Sequence, residues 1–177
     1  MKAIAQDPLN ALWRAHQAFT LLCAEMYELA VVEARKALEL DDRIYVAHWV
    51  IALSYFFQGK RVDAQEPAEQ ALRLAPWSVA IAGTLAGLLA RAGEKDRAEK
   101  LLARILGADS VGLYMYHLIC SEIDAAIDCY AQGIEQRSLR AMVIASAGFL
   151  KPLRASPRWP KLARLMNLPA SSHSFPL

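Results

Sequence analysis

His117 and Cys120 stand one helical turn apart and are the only His/Cys pair in the chain at ligand spacing. Two donors fall short of the four that a tetrahedral zinc site needs, so helix packing is the better reading of both, and no metal is expected. The other histidines, His16, His48 and His173, offer nothing more. No Gly-rich phosphate loop, GxSxG elbow or HExxH pair occurs, so the chemistry those motifs carry has no foothold. The acids Glu94, Asp96 and Glu99 alternate with Lys95, Arg97 and Lys100, the pattern of a solvated turn. Cys23, Cys120 and Cys129 are an odd count without CxxC spacing, which points to a reducing, cytoplasmic compartment. The chain is expected to be neither an enzyme nor a holder of cofactors.

Binding is the chemistry that remains. After Glu135 there are no acids and seven bases, Arg137, Arg140, Lys151, Arg154, Arg158, Lys161 and Arg164, although the whole chain carries only +2. Such a footprint can mark a nucleic-acid contact. Trp159 is the only aromatic nearby to stack on a base, whereas Leu153, Leu162, Leu165, Met166 and Leu168 outline an apolar helix face. Capping of a helical array is therefore preferred to nucleic acid. Gly83 and Gly87 form a GxxxG, which lets another backbone approach at about 1 kcal/mol of helix propensity per glycine; a neighbour within the chain is the favoured occupant.

The elements that would hold these residues are helices. Ala and Leu supply 57 of 177 residues, and Gly and Pro only 16, an all-α composition that excludes disorder and collagen. The longest run without charge, Leu74 to Ala90, contains Pro76, Ser78 and Thr84; its content argues against a membrane span. A spacing of 34 residues recurs in independent columns: Ala30, Ala64 and Ala98; Ala3, Ala37, Ala71 and Ile105; Gly59 and Gly93; Pro8, Asp42 and Pro76. Each period reads as two helices around a Gly-polar turn, with small residues where antiparallel helices cross closely. Pro67 is expected near the start of its helix, where a missing amide costs little.

These columns resemble the tetratricopeptide repeat family, whose units are helix–turn–helix pairs of 34 residues with small Ala columns and a closing Pro. The family's Trp column reads Arg14, His48 and Ala82 here, and its aromatic survives as Tyr55 while Leu21 and Leu89 replace it. The resemblance implies an all-α right-handed superhelix of antiparallel helix pairs. Expected boundaries are the end of a truncated upstream repeat helix at 1–8, repeats at 9–42, 43–76 and 77–108, a short degenerate repeat at 109–137, C-terminal capping helices at 138–168 and a flexible tail at 169–177. The fourth unit, with Ala126 and Tyr130 in register, has lost six residues, which a shortened first helix near Ser110 to Cys120 would absorb. The tail residues Leu153, Arg154, Pro157, Arg158 and Trp159 resemble a segment that closes repeat modules in bacterial signalling and regulatory proteins. Because KAIAQDP matches the end of a second helix, Met1 is expected to replace an upstream repeat, making the chain the C-terminal part of a larger protein.

The resemblance also implies a concave face made by the first helices. Carried over by column, its partner-binding residues are His16, Phe19, Trp49, Val50, Leu53, Phe56, Phe57, Thr84, Gly87 and Arg91. The set lacks the Asn, Lys and Arg clamp for a terminal carboxylate. The expected function is therefore protein–protein interaction with a hydrophobic or amphipathic peptide or helix, unless the chain's own tail fills the groove. Two alternatives stay open: a regulatory or sensory module of a transcription regulator, nucleotide cyclase or protein kinase, and a self-association domain forming a homodimer.

Overall fold

A computed structural model of the chain describes residues 10–107, 110–136, 138, 145 and 147–168. The helix end expected at 1–8, the tail at 169–177 and residues 139–144 and 146 of the capping segment lie outside these described residues. The chain divides into two compact units, Met1–Ile81 and Ala82–Leu177. The described elements are helical throughout: α1 (Ala11–Cys23), α2 (Tyr27–Leu40), α3 (Tyr45–Phe57), α4 (Arg61–Leu74), α5 (Val79–Arg91), α6 (Lys95–Ile105), α7 (Val111–Cys120) and α8 (Ile123–Glu135). A 3-10 turn (Gly148–Leu150) and the short helices α9 (Lys151–Arg154) and α10 (Trp159–Leu165) follow. In the first unit α1 packs on α2 and α3 on α4, while α3 also lies against α1 and α2; in the second, α7 packs on α8. The fold is thus all-α with repeated antiparallel helix pairs.

One backbone device closes every pair. At the end of α3, the Gly59 amide donates to the Phe56 carbonyl and the Lys60 amide to that of Tyr55, satisfying carbonyls the helix leaves open. The same two bonds recur at Glu25 and Met26, at Gly93 and Glu94, and at Ser121 and Glu122. All four turns need a left-handed residue, with φ of 61° at Glu25, 79° at Gly59, 87° at Gly93 and 64° at Ser121. Glycine occupies two of these positions without steric penalty. The other two carry a Cβ in a region that L-residues avoid.

Small side chains set the helix spacing. Ala30, Ala64 and Ala126 are fully buried and Ala98 nearly so, as are Ala37, Ala71 and Ile105. A further column with the same 34-residue spacing, Ala18, Ala52 and Ala86, is fully buried too. Helices that meet through alanine approach closely and pack few atoms per residue. The larger Leu22 and Leu53, both fully buried, therefore contribute a disproportionate share, about 1.5–3 kcal/mol each.

Two expectations are corrected. Pro67 is not near a helix start but the seventh residue of α4, buried inside it. There it removes the amide that would bond the carbonyl one turn earlier, a loss of about 3 kcal/mol in an ordinary helix interior. The shortening of the fourth pair is not confined to its first helix: α7 has 10 residues against 13 in α5, and α6 has 11 against 14 in α4.

In the second unit the GxxxG finds its neighbour within the chain. A Cβ built on Gly83 would lie 1.9 Å from the Gly112 carbonyl oxygen, and one on Gly87 would lie 2.6 Å from Ile119 Cβ. Helices α5 and α7 thus touch backbone to backbone. The tail packs on α8 through α9 and α10. Leu153, Trp159, Leu162 and Ala163 are buried, whereas Leu165 faces outward at 51% exposure.

Candidate functional site

The face expected to bind a partner is carried in the first unit by α1 and α3. Asn10 starts α1, its side chain accepting from the Trp13 amide at 3.1 Å. The sequences of these two helices, ALWRAHQAFTLLC and YVAHWVIALSYFF, contain one formal charge, Arg14. That guanidinium donates to Glu33 Oε2 on α2 at 3.2 Å, and Lys36 takes the other Glu33 oxygen at 2.7 Å. His48 lies 3.0 Å from the Asp42 carbonyl, at the turn before α3.

What α1 and α3 offer is a run of aromatic rings. Phe19 and Trp49 stack across the helix pair with centroids 6.0 Å apart. Two turns along α3, Phe56 meets Phe57 edge-on at 5.2 Å, and Phe57 stacks on Tyr27 at 5.7 Å. Tyr45 contacts Trp77 edge-on at 6.2 Å, and Trp77 is 69% exposed. Phe19, Trp49, Phe56 and Phe57 are half-buried: packed enough to be held, open enough to meet another surface. Burial pushes the Cys23 thiol up to about 11, and burial together with Glu25 pushes the Tyr27 phenol up to about 12. Neither group ionises near neutral pH, so the face stays uncharged.

The remaining expected residues fall elsewhere. Val50, Leu53 and Thr84 are fully buried, and Gly87 is closed over by Ile119 and the Tyr116 carbonyl. Arg91 is exposed, and its Nη1 donates to the Ile119 carbonyl at 3.3 Å and to Ser121 Oγ at 3.2 Å, which ties it to the end of α7. His16 is exposed, with its ring 6.2 Å from Trp13. His16, Val50 and Thr84 share one 34-residue column, open in the first pair and buried in the next two. Position within the repeat therefore does not decide exposure there; place in the array does. Tyr27, Tyr45 and Trp77 were not singled out from sequence because each lies at a helix start or in a connection. Their signal was aromatic character within one turn of a repeat boundary.

The basic tail is tied to its own chain at two points. Arg158 pairs with the Asp128 carboxylate, holding it below the usual carboxylate range, and donates to the Asp124 carbonyl at 3.4 Å. Arg154 donates to the carbonyls of Ala145 and Ala147 at 3.1 and 2.7 Å. Trp159 stacks on Tyr130 at 6.1 Å, and Tyr130 meets Tyr114 edge-on at 5.4 Å, so this indole belongs to the core. His117 Nδ1 lies 2.7 Å from Glu122 Oε2 across the closing turn of the last pair. Among the described residues no three His, Cys, Asp or Glu side chains gather to hold a metal ion, and no helix is long and apolar enough to cross a membrane. This architecture fits a non-enzymatic scaffold.

Compared with known proteins, residues 55–112 match the family model described as tetratricopeptide repeat. No curated protein matches the chain.

Proposed function

Because the chain carries a tetratricopeptide-repeat-like module, we propose that it is a protein–protein interaction module that buries apolar side chains of a peptide or helix against Phe19, Trp49, Phe56 and Phe57. The observation that carries this reading is the half-exposed aromatic run on two helices with a single, paired charge. Aromatic rings held by neighbours lose little freedom when covered, and they dominate binding energy at interfaces. Leu53, buried one turn from both Trp49 and Phe56, supports the rings from beneath. The ligand is an uncharged, apolar or amphipathic segment, and the setting is cytoplasmic.

The test is to pan a displayed library of amphipathic helical peptides against the wild-type chain and measure each selected peptide on Trp49→Ala. A large indole removed from the centre of such a face costs about 2 kcal/mol or more, roughly thirtyfold in affinity. Selected peptides that bind a folded Trp49→Ala protein as tightly as wild type would place the site elsewhere.

A further inference from the structure

The second helix of the first pair differs from its counterparts on the side turned to solvent. Met26, Leu29 and Val32 are 45%, 49% and 45% exposed, and Leu40 is 40% exposed at the other end of α2. With 3.6 residues per turn, all four fall on one face. The matching columns of the second pair hold Lys60, Asp63 and Glu66, and those of the third hold Glu94, Arg97 and Lys100. These positions face outward in each pair: Asp63, Glu66, Arg97 and Lys100 are exposed. The array thus uses charge here twice and apolar side chains once, on a surface the aromatic face of α1 and α3 does not include.

Charge along α2 indicates the occupant. Glu25 and Glu28 lie at its amino end, and Arg35 and Lys36 lie in its carboxyl half, with Glu39 the one acid beyond them. A parallel copy would set Lys36 against Lys36. An antiparallel copy, related by a two-fold axis near Glu33, sets Glu28 of each chain beside Lys36 of the other, and Met26 against Leu40. A self-complementary patch of this kind is what a two-fold interface requires. We propose that this face of α2 is a self-association surface on which a second copy of the chain docks antiparallel. A helix of 14 residues is about 21 Å long and covers less than the ~1,200 Å² typical of stable complexes. The dimer is accordingly weak and concentration-dependent.

Sedimentation equilibrium of the full chain from about 10 µM to 1 mM reads it directly. The expected result is an average mass that climbs from 19.6 kDa towards twice that value. Leu29→Glu with Val32→Glu, both at half-exposed positions that leave the core intact, should shift the midpoint at least tenfold upward. Lys36→Glu and Glu28→Lys should each weaken association alone and restore it when mixed, because each chain then supplies the charge the other lacks. A protein that stays monomeric at 1 mM overturns the proposal. So does association that the Leu29 and Val32 changes leave untouched, and so does a charge-swapped mixture no tighter than either variant alone.

Discussion

Gly83→Ala is the sharpest test of how the second unit is assembled, because two effects of opposite sign meet at one methyl group. In an isolated helix the change would stabilise by about 1 kcal/mol, since alanine loses less backbone freedom than glycine. In the folded unit the new Cβ would sit 1.9 Å from the Gly112 carbonyl oxygen, 2.7 Å from its carbonyl carbon and 3.0 Å from its Cα, where ordinary contact begins at 3.4 Å. Relief requires α5 and α7 to part by about 1.5 Å. No side chain can rotate away, because every atom in the way is backbone. Overpacking in a close-packed core costs roughly 1–3 kcal/mol and more where the backbone must shift. The net expectation is a loss of about 2 kcal/mol, or roughly 8–16 °C in the melting of a unit this size. Trp159 is the only tryptophan after residue 81, and it is buried. With Phe at 13, 49 and 77 it reports urea unfolding of the second unit alone. A Gly83→Ala protein that unfolds at or above its parent's midpoint would refute the backbone contact and leave only the propensity gain.

Three further substitutions probe local strain. Pro67→Ala should raise stability by about 1–2 kcal/mol, the restored helix bond and freedom from the ring outweighing a little lost burial; no rise in the urea midpoint would mean that the ring earns its place through packing. Glu25→Gly should stabilise by about 0.5–1 kcal/mol because the left-handed turn then carries no Cβ, whereas Gly59→Ala should destabilise by a similar amount although nothing lies within 4 Å of the new methyl. Matching signs for those two changes in thermal melts would argue against a common turn. Ser54 Oγ is buried in α3 without a hydrogen-bond partner, so Ser54→Ala should gain about 1 kcal/mol in denaturant titration; a loss would show that the hydroxyl is satisfied in solution.

The 34-residue period made the helix pairs legible because the same contacts recur in each of them. The Ala columns and the Gly turns are repeated solutions to repeated geometry, and a single residue type marks each. Where the turn used Glu25 or Ser121 in place of glycine, composition gave no signal and hydrogen bonding alone reveals the shared motif. Pro67 was misplaced because a proline near a turn reads as a helix start, and its neighbours carry no mark of how many residues precede it. Of the candidate site, the aromatics were visible as a cluster on first helices. Burial of Val50, Leu53, Thr84 and Gly87 was not, since those residues follow the column pattern as well as Phe19 and Trp49 do. What separates them is which helix lies alongside, a tertiary property that no spacing encodes.

The near absence of charge on α1 and α3 has a kinetic consequence. Arg14 is occupied by Glu33, so the aromatic face projects little field into solvent and does not draw a ligand from beyond contact range. Encounter on such a surface proceeds at the unsteered rate, about 10⁵–10⁶ M⁻¹s⁻¹, and is indifferent to ionic strength. Discrimination among ligands then rests on how long each one stays, through the fit of its side chains between the rings. Salt would leave this recognition largely unchanged, while lengthening or shortening a single apolar side chain on the ligand would alter its residence time.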